Sequence, residues 1–86
     1  MSLQEQFEQA AAEVKRLSSR PSNTDLLELY ALYKQGTEGD VTGERPGGMD
    51  FKGAAKFDAW KRQEGKGKEQ SMQEYIELVK RLQAGQ

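Results

Sequence analysis

Apolar residues recur at Leu3, Phe7, Ala10, Ala11, Val14 and Leu17, three or four positions apart, and Ser2 followed by Glu5 has capping-box spacing. This pattern predicts an amphipathic first helix ending near Leu17 or Ser18. The stretch Ser18-Ser19-Arg20-Pro21-Ser22-Asn23 is rich in turn formers, and Pro21 cannot sit inside a continuing helix. Asn23 is read as the N-cap of a second helix, with Asp25 in its first turn and Leu26, Leu27, Leu29, Tyr30, Leu32 and Tyr33 apolar around much of its surface. An apolar surface that wide implies two contacts, one with the core and one with a ligand or an oligomer interface. Five glycines and Pro46 between Gly36 and Gly48 predict that this helix stops near Glu38 and passes into a long irregular loop.

Asp50 is placed to cap a third helix running from Phe51 to about Gln63, with Phe51, Ala54, Ala55, Phe57 and Trp60 on its apolar face. Trp60 falls in register with Phe57 and the alanines, the position of a core anchor. Gly65 and Gly67 punctuate the helix end. A fourth helix then starts near Lys68, with Glu69 in its first turn, a stripe of Met72, Tyr75, Ile76, Val79 and Leu82, and Lys80 and Arg81 near its C-terminus. No segment has strand periodicity. The predicted fold is all-α, a four-helix bundle with one long connection between helices 2 and 3.

Length confines all of this to one core, so residues 1–86 read as a single domain. The chain has no cysteine and no histidine, which leaves disulfides, thiol catalysis, a Ser-His pair and a His-ligated zinc without their residues. Serines 2, 18, 19, 22 and 71 have no imidazole to activate them. The expectation is a protein that is not an enzyme and that needs no cofactor. A start without basic and apolar signal regions, no run of the roughly 20 apolar residues of a membrane helix and the lack of cysteine point to a cytoplasmic protein. A net charge of -1 argues against nucleic acid as a partner. A monomer is the default.

The local charge says more than the total. From Asp50 to Lys68 six Lys/Arg stand against three Asp/Glu, a balance of +3. Tyr30, Tyr33 and Lys34 share one patch of the second helix, and Lys52 and Lys56 lie one turn apart near the start of the third, where free N–H groups also favour an anion. Phenols stack on bases and donate to phosphate. The same lysines also suit an ordinary solvated face, the tyrosines a core edge, and Leu26, Leu27 and Leu29 either core packing or the wall of an acyl chain. A helical interaction module, presenting its second helix to another protein's amphipathic segment, would use the same apolar width.

Three runs in order, Tyr30-Ala31-Leu32-Tyr33-Lys34-Gln35-Gly36-Thr37-Glu38-Gly39-Asp40, then Arg45-Pro46-Gly47, then Phe51-Lys52-Gly53-Ala54-Ala55-Lys56-Phe57-Asp58-Ala59-Trp60, closely resemble the acyl-CoA-binding protein family. The resemblance extends from Phe7-x-x-Ala10-Ala11 to Tyr75-Ile76. It implies an up-down-down-up four-helix bundle that carries and buffers medium- to long-chain acyl-CoA, with acyl-CoA-using enzymes as exchange partners. CoA phosphate and adenine would be held by tyrosines and lysines, and the acyl chain would lie in an apolar groove. By position, Tyr30, Tyr33 and Lys34 match the family's second-helix binding run and Lys56 its lysine for the 3'-phosphate region. Lys15 is implied near the adenine, Lys52 and Tyr75 match further contact positions, and Leu27 is the candidate for the acyl groove. Gly47-Gly48-Met49 departs from the family's usual single glycine before larger apolar residues, and Phe57 stands where many members have tryptophan.

Overall fold

The computed structural model describes residues 1–85, which form helices α1 (Leu3–Glu13), α2 (Asn23–Glu38), α3 (Phe51–Lys61) and α4 (Lys68–Ala84), with a 3-10 turn at Val14–Arg16 and no strand. The caps explain most of these boundaries. Ser2 Oγ accepts from Glu5 N at 3.1 Å while Ser2 N donates to Glu5 Oε1 at 3.1 Å, which closes the expected capping box. Asp50 Oδ1 accepts from Gly53 N at 2.9 Å and starts α3. The cap of α2 is a correction: Ser22, not Asn23, receives Asp25 N at 3.1 Å, and Asn23 is already helical. Both residue types serve as caps, and the three-residue spacing to Asp25 decides for Ser22. The Asn23 side chain instead accepts from Arg20 Nη1 at 3.2 Å.

Contacts between helices give their directions. Phe7 meets Tyr75 with ring centroids 5.1 Å apart and Gln83 Nε2 reaches Glu13 Oε1 at 3.4 Å, so α1 and α4 run parallel. Arg81 approaches Asp25 at 3.7 Å, whereas Gly36, a turn from the other end of α2, lies against Met72, so α2 runs against α4. Lys56 sits over Tyr30 and Trp60 lies beside Lys34; both helices advance together, so α3 is parallel to α2. The course is up, down, down, up.

Phe7, Ala10, Leu29, Leu32, Tyr75, Ile76, Leu78 and Val79 form the buried cluster where α1, α2 and α4 meet. Gly36 permits the close approach of these helices, since a Cβ there would stand 3.3 Å from both Met72 Cγ and Phe7 Cζ. The α3 helix joins from the α2 side, burying Ala54, Ala59 and Trp60. Phe51 departs from the expected apolar face and is 70% exposed, because the buried face of α3 begins a turn later, at Ala54.

Polar contacts tie the long connection down at intervals. Trp60 Nε1 donates to the Gly39 carbonyl at 2.9 Å, and the Arg45 guanidinium grips Asp58 with two bonds of 2.8 and 3.0 Å. Asp40 Oδ1 accepts from Gln35 Nε2 at 2.8 Å and from Gly65 N at 2.9 Å, and Gln35 Nε2 also donates to the Lys66 carbonyl at 2.9 Å. These bonds hold the end of α2 against the α3–α4 turn.

Candidate functional site

The 3.6-residue period of α2 puts Leu27, Tyr30 and Lys34 on one stripe with Tyr33 at its edge, and the neighbouring helices close around it. Ala11, Val14 and Lys15 from the first helix and its turn, Leu29, Tyr30 and Tyr33 from α2, and Tyr75 from α4 line a pocket of about 360 Å³. Its lining is largely apolar, with three phenols and one ammonium.

A stacked aromatic group forms one wall. Phe7 lies under Tyr33 at 5.3 Å with nearly parallel rings, meets Tyr75 edge-on, and Tyr33 and Tyr75 are 5.9 Å apart. Phe7 is fully buried and fixes the other two. Tyr33 is 42% exposed, whereas Tyr75 is only 4% exposed. Burial, followed by the ionised form of Tyr33, pushes the Tyr75 phenol from 10.0 up to about 12, so it remains a proton donor at all ordinary pH.

The cations gather around Tyr30. Lys56 Nζ lies 5.4 Å from the Tyr30 ring centre, and Lys34 Nζ lies 6.0 Å from Tyr30 and 5.3 Å from Trp60. Lys34 is also bonded to Glu38 Oε2 at 2.5 Å, and that bond raises the pKa of its ammonium. Lys15, Lys52 and Lys56 have no carboxylate within ion-pairing distance among the described residues. Two ammonium groups within 6.0 Å of one phenol ring concentrate positive charge beside an aromatic surface, an arrangement suited to an aromatic, multiply charged anion.

Of the sequence-predicted residues, Lys15, Tyr30, Tyr33 and Tyr75 share the pocket, and Tyr30 connects it to Lys34 and Lys56. Lys52 and Leu27 lie outside the pocket lining. Lys52 is exposed one turn ahead of Lys56, and Leu27 is half-buried one turn ahead of Tyr30. Ala11 and Val14 line the pocket although the sequence does not single them out, since their periodic spacing marks an apolar face but not which helix gap that face borders. A larger groove of about 750 Å³ on another face of α2 and α4 carries Asp25, Glu28, Glu74 and Glu77 against Arg81. Its charge is wrong for a polyanion, so size does not decide between the two.

The family model for acyl CoA binding protein matches residues 4–79. The chain is 55% identical over 83 residues to an acyl-CoA-binding protein homolog of Manduca sexta, covering 95% of this chain and 92% of that one. It is 54% identical over 82 residues to an acyl-CoA-binding protein of Brassica napus, covering 95% of this chain and 89% of that one. Among solved structures, that of Oryza sativa acyl-CoA-binding protein 2 superposes with a TM-score of 0.93 at 50% identity, covering 98% of this chain and 93% of that one.

Proposed function

The chain belongs to the acyl-CoA-binding protein family, and from that membership we propose that it binds medium- to long-chain acyl-CoA thioesters without covalent chemistry, as a carrier and buffer. The observation that carries this reading onto the molecule is the convergence of Lys34 and Lys56 on the Tyr30 ring beside an apolar pocket. Both halves of an acyl-CoA are matched there. The nucleotide end is anionic and aromatic, and the other end is a hydrocarbon.

In this reading Lys34 and Lys56 take the phosphates through charge-assisted hydrogen bonds, and Tyr30 and Tyr33 offer ring faces to adenine. Lys15 contributes charge from the first helix, Tyr75 donates its phenolic proton from within the pocket, and Lys52 extends the positive rim. Leu27 continues the apolar surface from Tyr30 toward the start of α2, a course for the acyl tail. The head group sets orientation, and the tail adds about 0.8 kcal/mol per buried CH₂.

The protein acts as a binder and not as an enzyme. The chain lacks His and Cys, and the hydroxyls of Ser2, Ser22 and Ser71 serve helix capping or backbone bonding. Among the described residues no group of carboxylates could hold a metal ion, and no helix is long and apolar enough to cross a membrane. The proposal extends to one acyl-CoA-binding domain over residues 1–86, to a cytoplasmic monomer, and to acyl-CoA-using enzymes as its exchange partners. Isothermal titration with palmitoyl-CoA, free CoA and palmitate tests the reading. Tight single-site binding of palmitoyl-CoA, weaker binding of CoA and little binding of palmitate is the expected order, and equal affinity for CoA and palmitoyl-CoA would remove the buried tail.

A further inference from the structure

Only one cation of the site is already engaged by an anion among the described residues. Lys34 Nζ is bonded to Glu38 Oε2 at 2.5 Å, whereas Lys15, Lys52 and Lys56 have no ion-pair partner among those residues. Glu38 is the last residue of α2, and Gly39 ends the helix with φ +84°. A carboxylate there faces the negative end of the helix dipole, so the local field works against it. The Thr37 hydroxyl donates to the Tyr33 carbonyl at 2.9 Å, which helps satisfy the last turn without Glu38. The Glu38 side chain is 53% exposed, and its one hydrogen bond among the described residues is to Lys34.

We infer that Glu38 is an internal competitor for the phosphate site: it occupies Lys34 in the free protein and must yield it, or share it, when an anionic head group arrives. This rests on the reading of Lys34 as a phosphate-binding residue. The Lys34 ammonium lies 6.0 Å from the Tyr30 ring centre and 5.3 Å from that of Trp60, and the Lys34 side chain remains 30% exposed, so it is open to a phosphate arriving from solvent. A phosphate that takes Lys34 then stands close to a carboxylate that has lost its partner. The repulsion lowers affinity and favours release, a useful property in a carrier that must hand its cargo on. The pair is exposed and separated by one helical turn, so its influence is moderate and screened by salt.

The test is titration of free CoA and palmitoyl-CoA into the parent chain, Glu38→Gln, Lys34→Met and the double variant, at low and high ionic strength. Glu38→Gln keeps the shape and removes the charge. It is expected to bind both ligands about three- to tenfold more tightly at low salt, a range set by exposed ion pairs near a charged ligand. The same factor should appear for both ligands, because the tail is not involved. In the Lys34→Met background the gain should shrink toward one, and at high salt it should largely vanish. An unchanged or weaker affinity of Glu38→Gln, in a parent chain that binds normally, overturns the competitor role; weaker binding would make Glu38 an organiser of Lys34. A gain that persists in full without Lys34 also overturns it. A parent chain that binds neither ligand removes the acyl-CoA reading itself and the inference with it.

Discussion

Two side chains of the site separate cleanly by the kind of contact they make. Lys56 touches the Tyr30 ring and has no carboxylate partner among the described residues, so Lys56→Ala should leave the fold intact and weaken acyl-CoA binding by about 1.5 to 3 kcal/mol, the range for hydrogen bonds to charged groups. Titration calorimetry beside a thermal melt checks both halves of that expectation. Tyr75 gives a pH signature. Its folded phenol titrates near about 12 against 10.0, so the folded state favours the neutral form. Stability from this residue is fully present below pH 10 and declines between pH 10 and about 12, by at most about 1.4 kcal/mol per pH unit. Denaturant unfolding across that window should show Tyr75→Phe falling less steeply than the parent. At this scale the sequence tells which residues carry charge and aromatic rings but not how they divide. Lys15 and Lys52 read alike as lysines on amphipathic helices, yet one lines the pocket and the other lies outside its lining. Glu38 marks only the helix end in the sequence, because its i, i+4 spacing from Lys34 does not show which other groups surround the pair.

The elements are the most legible part of the chain, since capping chemistry and apolar period are local. The Ser2–Glu5 box and the Asp50 cap are formed as their spacing requires, and the Ser22/Asn23 shift shows the limit when two good caps are adjacent. Phe51 shows another limit. Periodicity marks an apolar position, but where a helix starts to be covered depends on its neighbour, and α3 is covered only from Ala54 onward. Gly36 lies inside α2, where glycine lowers helix propensity, and its reason is tertiary: Met72 and Phe7 fill the space a side chain would need. Gly36→Val should therefore separate α2 from α4 and cost roughly 1 to 3 kcal/mol in denaturant unfolding, the range for overpacking a core. The long connection depends on a different device. Arg45→Ala removes the two-bond grip on Asp58, and amide hydrogen exchange should then accelerate around residues 40–50 while α1 and α4 keep their protection.

For the whole molecule, folding and the proposed binding share residues. Phe7, Leu29 and Tyr75 belong to the core cluster, and Leu29 and Tyr75 also border the pocket. A ligand that fills this gap extends the core, so binding and stability are linked. At free palmitoyl-CoA about 100 times its dissociation constant, the fold should gain roughly 2.7 kcal/mol. For a domain of this size that corresponds to a rise in Tm of about 10 to 20 °C in a thermal scan, whereas palmitate alone should give little.

Trp60 is the only tryptophan in the chain, and its indole lies 5.3 Å from the Lys34 ammonium while its Nε1 is fixed to the Gly39 carbonyl. The proposed site thus has an intrinsic fluorophore at its edge. A head group that draws Lys34 aside, as proposed, should change the electric field across a ring that is otherwise held still, and a shift in emission is the expected outcome. Loading and unloading of the carrier can be timed by stopped-flow fluorescence on the unlabelled chain, with no dye attached to a surface that every added group would disturb.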